Sequence, residues 1–330
     1  MNTLPPILGN EATRERLWRA ADEGRSHHCY LFEGPDGVGK HTTAMRLALY
    51  MNCDSASRPC GTCTPCRMMI AGSHPDLIVV GPDPEKLTRV ISVAQAHDVI
   101  RALQLQRHSA RRRVVIIDPV DVLNEESANS LLKTLEEPPL GTQFILITGR
   151  VASLLPTIRS RAQRVRFGAL PVDTLRTWLS ARGVDPLLAA GAQGSPGLAL
   201  RLAAGEAGAR DDVRDRLLGA IGQPLHALFA ASEALGKKDD GVSSSELAVD
   251  ILEELLRDAV MVANGRAPLV PANAEVAARW AAAMWPGGLA RLSRAIGSAR
   301  DRLRLNVNGR VVLEALLAAV NLELSQARAA

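Results

Sequence analysis

A short apolar run, Cys29-Tyr30-Leu31-Phe32, leads into Gly34-Pro35-Asp36-Gly37-Val38-Gly39-Lys40, and a helical pattern from Thr42 to Leu49 follows. Strand, glycine loop and helix in that order are what a phosphate-binding loop requires, and such a unit belongs in a parallel sheet covered by helices. The glycines let successive N–H groups curl toward phosphate oxygens, the helix start adds a positive dipole end, and Lys40 adds a point charge. Gly34, Gly37, Gly39, Lys40 and Thr42 are thus candidate nucleotide-binding residues. The competing reading is a glycine-rich turn with no nucleotide ancestry. After the lysine a Ser or Thr hydroxyl should ligate Mg²⁺, but His41 stands there. Magnesium demands oxygen ligands in octahedral geometry, so an imidazole substitutes poorly. Thr42 lies about 100° further round the helix and does not replace the missing hydroxyl.

A second altered position points the same way. Arg113-Val114-Val115-Ile116-Ile117-Asp118 reads as a buried parallel strand ending in a carboxylate, where nucleotide hydrolases hold their metal. In ATPases of the AAA+ type a glutamate follows and polarises the attacking water. Here Pro119 follows, and the direction of nearby Asp121 after a proline is not legible.

At 330 residues the chain has room for two or three domains. A net charge of +4 permits nucleic-acid contact without demanding it. With 47% hydrophobic but only 3% aromatic residues, the cores are expected to be Ala, Leu and Val in a helix-rich chain. No apolar stretch approaches the roughly 20 residues of a membrane span, and Met1–Pro6 has no signal-peptide character, so a cytoplasmic protein is expected.

Helices are predicted over about 10–24, 42–51 and 93–105, and strands over 29–32, 77–80, 114–118, 144–148 and 163–167. After Phe167 the strands stop and helical periodicity takes over, through 171–182 and 196–204, with a turn cluster at Gly191–Gly197. Amphipathic helices fill the rest, interrupted by the polar linker Gly236–Ser245 and by Pro268, Pro271 and Pro286. The expected division is an α/β domain over 1–167, a small helical domain over 168–208 and an all-helical domain over 209–330.

Four of five cysteines fall together as Cys53, Cys60, Cys63 and Cys66, inside an insert of about 52–68. Two C-x-x-C steps present soft ligands to one tetrahedral ion, and four thiolates leave no open position, so structural Zn²⁺ is the favoured reading. Two disulfides are disfavoured in a cytoplasmic protein. Reactive thiols are the third reading, but no histidine sits inside the cluster. Cys29 reads as a buried strand thiol.

The phosphate loop, the four-cysteine insert behind its helix, and Leu131-Leu132-Lys133-Thr134-Leu135-Glu136-Glu137-Pro138-Pro139 together resemble the bacterial DNA polymerase III clamp-loader subunits. The resemblance covers the first 210 residues well and the helical remainder loosely. It implies an AAA+ P-loop parallel sheet with a zinc insert, a helical lid and a helical collar that joins a five-subunit ring. His41, Pro119 and the segment Gly194-Ser195-Pro196-Gly197-Leu198-Ala199-Leu200, with Gly197 where a sensor arginine would stand, resemble the delta prime branch and not the gamma/tau motor. The nucleotide site is then degenerate, with ATP binding doubtful. Thr157-Ile158-Arg159-Ser160-Arg161-Ala162 resembles the segment that offers an arginine finger to a neighbour, with Arg161 as the catalytic candidate, Arg159 as its competitor, and a plain surface salt bridge as the bland alternative. Thr148 matches the first sensor position, and the helix around Leu305–Arg310 and onward matches the one that closes the collar. The implied partners are gamma/tau and delta subunits, with the sliding clamp and primed DNA reached through the assembly.

Two rival readings stay open at this stage: an active gamma/tau-type motor with unusual Mg²⁺ ligation, and a zinc-dependent DNA-binding module. The insert offers only Arg58 and Arg67 as nearby cations, against the second. The cluster Arg107–Arg113 is expected to be a solvated loop more than a phosphate contact.

Overall fold

The computed structural model describes residues 6–83, 90–236, 238–239, 242–284, 286–304 and 307–329. Met1–Pro5, Lys237, Asp240, Gly241, Leu305 and Asn306, on which parts of the sequence reading fall, lie outside the described residues. Two compact units divide the chain: residues 1–175 with 193–198, and residues 176–192 with 199–330.

The first unit runs α1 (Glu11–Asp22), β1 (Cys29–Glu33), α2 (Lys40–Asn52), α3 (Thr64–Ile70), β2 (Leu77–Val80), α4 (Val93–Gln104), β3 (Arg113–Ile117), α5 (Glu125–Glu136), β4 (Thr142–Thr148), α6 (Pro156–Arg159) and β5 (Gln163–Arg166). The strands form one parallel sheet in the order β2-β3-β4-β1-β5, the AAA+ P-loop architecture that the sequence implies. Buried on both faces, β1, β3 and β4 read as unbroken apolar runs instead of alternating ones. One face packs against α2 through Leu47, Ala48 and Met51, and the other against α4 and α5 through Val99, Leu103, Leu131 and Leu135. Helix α4 starts in a reciprocal capping box, in which Ser92 takes the N–H of Gln95 and the Gln95 amide oxygen takes the N–H of Ser92.

Buried polar residues prolong three strand ends beyond the strand ranges of the sequence reading, while β3 and β5 stop one residue short of those ranges, at Ile117 and Arg166. Glu33 extends β1, Arg113 opens β3, and Thr142 and Gln143 open β4. Arg113 is not part of a solvated loop. Its Nε and Nη2 donate to Oδ1 of Asp76 at 3.1 and 3.0 Å, and it also serves the carbonyls of Ala102, Leu105 and Gln106. Asp76 is wholly buried and accepts the N–H groups of His108, Ser109 and Ala110 as well. Burial alone would raise its pKa, but these donors and the guanidinium bring it down to about 2.

The second unit is helical, with long helices over Ala207–Ala220, Leu225–Leu235, Ser244–Ala263, Ala274–Met284, Gly287–Arg304 and Gly309–Ala329 around a core that includes Leu252, Trp280, Leu313 and Leu317. The stretch read as a polar linker carries a two-residue antiparallel ladder, Lys238–Asp239 with Val242–Ser243, so strands do not wholly stop after Phe167. Among the described residues no helix is long and apolar enough to cross a membrane.

Candidate functional site

The loop between β1 and α2 is held by its own lysine. Lys40 Nζ donates to the carbonyl oxygens of Gly34 at 2.6 Å and Pro35 at 2.7 Å, and lies 3.4 Å from Oδ1 of Asp36. Burial lowers the Lys40 pKa, against the opposing pull of Asp36, Asp118 and Asp121. A phosphate drawn to this loop has to compete with two carbonyls and a carboxylate for the ammonium. Gly39 precedes the helix in a left-handed conformation, and Thr43, not Thr42, closes the first turn by donating its hydroxyl to the Gly39 carbonyl at 2.8 Å. Thr42 stays half-buried on the adjoining face.

Where a hydroxyl and a carboxylate would share a magnesium ion, the two side chains bond directly. Nδ1 of His41 lies 2.7 Å from Oδ2 of Asp118, so the imidazole donates to the carboxylate just after β3. An oxygen of Asp118 is spent on a nitrogen that hard cations avoid. Asp121, just beyond Pro119, accepts the hydroxyl of Thr148 at 2.7 Å, and Thr148 also receives the N–H of Arg150. The end of β4 and the turn after β3 are thereby tied together. The pair His41–Asp118 spans 77 residues of sequence, and a local motif carries no signal for it.

The turn at Ser195–Leu198 lies on the loop. The Gly197 N–H donates to the Gly37 carbonyl at 2.9 Å, and Leu198 N–H caps onto Ser195 Oγ. A side chain on either glycine has no room: a Cβ on Gly197 would sit 2.9 Å from Gly37 Cα, and one on Gly37 would sit 2.3 Å from Ser195 Oγ. Gly37 also has φ +74°, which a side chain disfavours.

Arg161 is engaged within its own chain. It forms an ion pair with Glu136 at the end of α5, and its Nη1 donates to the carbonyl of Thr157 at 2.8 Å. Its guanidinium is half-buried, while Arg159 makes no ion pair with another described residue. Glu136 is an ion-pair partner of Arg161 that the sequence reading did not link to it.

The structure brings all four insert cysteines together. Their sulfurs lie within 4.8 Å of one another, and Cys53 and Cys63 are 3.9 Å apart. Four thiolates at the usual Zn–S length of about 2.3 Å stand about 3.8 Å from each other, so the group fits a tetrahedral metal ion such as zinc. All five cysteines are free of disulfides. The N–H of Cys63, with donors from Thr62, pulls the Cys60 thiol down to about 6, whereas burial pushes Cys66 up. Cys29 stands apart in β1, its thiol pushed up by burial to about 12.

Residues 9–171 match the family described as "DNA polymerase III, delta subunit". Relatives include the delta prime subunit of Pseudomonas aeruginosa, 34% identical over 57% of this chain and 60% of its own length. The delta prime subunit of Bacillus subtilis is 35% identical over 57% of this chain and 55% of its own. The tau subunit of Escherichia coli is 37% identical over 53% of this chain and 27% of its own. The chain thus spans little more than half of the delta prime relatives it matches. Residues 9–171, which carry the altered phosphate loop and the cysteine group, are the part of this chain that matches the DNA polymerase III delta-subunit family.

Proposed function

We propose that this chain is a delta prime-type subunit of a bacterial clamp loader that does not itself hydrolyse ATP. The observation that carries the reading is the direct bond between His41 and Asp118, which takes both positions from magnesium duty. Lys40 on its own loop carbonyls and Gly197 against Gly37 support it from two further sides. In this role the subunit is a fixed face in a ring with gamma/tau and delta subunits, and the assembly places a sliding clamp on primed DNA. Residues 168–208 serve as a helical lid and residues 209–330 as the oligomerisation collar. Arg161 leaves Glu136 to meet the nucleotide bound by a neighbouring motor subunit, where a finger of this kind contributes about 10³ or more in rate. Cys53, Cys60, Cys63 and Cys66 hold a structural Zn²⁺, which closes the insert between α2 and α3 and takes no part in chemistry.

The higher identity to a tau subunit favours a second reading, an active motor. One experiment separates the two. The purified chain is assayed for ATP turnover alone, then in an assembly with motor subunits, each time beside Arg161→Ala and Lys40→Ala. The proposal expects no turnover by the chain alone, and in the assembly a large loss from Arg161→Ala with none from Lys40→Ala. Turnover by the isolated chain that Lys40→Ala abolishes would sink it.

A further inference from the structure

Strand β5 ends the sheet, so one of its edges has β1 beside it and the other has no strand. The Phe167 N–H bonds the Glu33 carbonyl at 2.8 Å and the register sets Val165 opposite Phe32, so Gln163, Val165 and Phe167 turn their backbone groups to β1. Arg164 and Arg166 turn theirs outward. The Thr13 hydroxyl takes the Arg166 carbonyl at 3.4 Å and closes that end of the edge. Among the described residues nothing pairs with the N–H and C=O of Arg164. A groove of about 590 Å³ follows this edge, with Arg16, Arg19 and Glu23 from α1 and its end along one side.

Side chains leave the edge on two faces. Val165 packs with Tyr30 and Phe32 on the face that α1 covers through Leu17. Arg164 and Arg166 lie on the opposite face, where Glu33 receives Arg164 through Nε and Nη2 and Arg166 through Nε. The Arg166 side chain stays 80% exposed, which leaves its guanidinium open to a second carboxylate. On the α1 face Trp18 turns toward Tyr50 of α2, so Arg16 and Arg19, on the other flank of the helix, turn away from α2 and toward the groove. Arg16 touches only the Thr13 hydroxyl at 3.2 Å, and Arg19 makes no ion pair among the described residues, while Glu23 is taken by Arg25.

A strand laid along β5 presents its side chains alternately to both faces. One set meets Arg16 and Arg19 and the other meets Arg164 and Arg166, although the two pairs of cations do not face each other. Charged edge residues ward off apolar strands, and two copies of β5 side by side would set these arginines against their like. An acidic strand meets neither obstacle. We propose that the outer edge of β5 takes up an extended acidic segment of a partner protein by strand addition, with main-chain bonds to Arg164 and carboxylates on both faces. This role of the edge does not rest on the subunit role proposed above.

The test is fluorescence anisotropy of the full chain with a labelled peptide of about eight residues in which pairs of glutamate alternate with pairs of valine, so that each pair sets one carboxylate on each face of a strand. Arg16→Gln/Arg19→Gln and Arg166→Gln act on opposite faces, and each is expected to weaken binding about threefold or more. In Arg166→Gln the buried Glu33 keeps both of its bonds from Arg164. Arg16→Lys/Arg19→Lys keeps the charge and the binding, and shows that a loss in the glutamine variant is not one of folding. Arg101→Gln, which removes an exposed guanidinium from α4, leaves binding unchanged. The same peptide with two adjacent central amides N-methylated keeps its charge but cannot bond fully along either edge, and is expected to bind about tenfold weaker. No binding by the unaltered chain, a glutamine variant on either face that binds like it, an equal loss in Arg101→Gln, an N-methylated peptide that binds as well as its parent, or an oligothymidylate that competes as well as the peptide each overturns the proposal.

Discussion

Replacing Asp76 by asparagine keeps the shape of the side chain and removes its charge, which leaves Arg113 cationic and 4% exposed with no counter-ion. An uncompensated buried charge costs about 3–5 kcal/mol. The amide adds to this by aiming its NH₂ at a site otherwise filled with donors, the N–H groups of His108, Ser109 and Ala110. Hydrogen exchange at the amides of β3 reports the opening of this unit by itself, and the opening free energy should fall by about 3 kcal/mol or more. Asp76→Leu with Arg113→Met, which removes both charges, should recover most of that loss. The carboxyl also sets an acid limit. Its pKa drops from 3.8 to about 2 on folding, and at 1.36 kcal/mol per pH unit the charged form contributes about 2 kcal/mol. Because the folded group is the stronger acid, this contribution is complete above about pH 4 and is lost as pH falls toward 2. A fall of less than about 1 kcal/mol in Asp76→Asn, or a double variant weaker than the single one, refutes the reasoning.

Further outcomes follow from other parts of the molecule. Metal analysis of the purified chain should find one zinc per chain, and its removal by chelation should unprotect amides of residues 53–70 while those of β3 and β4 stay protected. Cys29 should resist thiol reagents at pH 8 and react only on unfolding, since burial holds its pKa near 12. Glu136→Ala should change stability by less than about 1 kcal/mol, as its pair with Arg161 is partly exposed. In an assembly with motor subunits the same variant should leave hydrolysis equal or faster, because it frees the guanidinium. A loss comparable to that of Arg161→Ala would assign Glu136 a positive role.

The sheet was legible because its strands are apolar runs bounded by turn signals, and the cysteine group because four thiols at C-x-x-C spacing suit one ion. The strand ends were not. Periodicity treats Glu33, Arg113 and Gln143 as boundary residues, yet each is buried because a distant group satisfies it: the arginines of β5, Asp76, and the carbonyls of His27 and His28. At the loop, sequence located the substituted residues His41, Pro119 and Gly197 but not what they do instead. That His41 turns to Asp118, that Lys40 folds onto its own loop and that Arg161 rests on Glu136 are contacts set by topology and not by local spacing.

The approach of Gly197 to Gly37 bears on descent. If an ancestor carried an arginine at 197, the present packing formed only after that side chain was gone, since a Cβ there meets the loop backbone at 2.9 and 3.0 Å. An arginine placed at 197 by one substitution would collide with the loop main chain as it now stands. The two glycines therefore act as a latch: any side chain at 197 requires the loop and the turn to part first, and the hydrogen bond from the Gly197 N–H to the Gly37 carbonyl works against that parting.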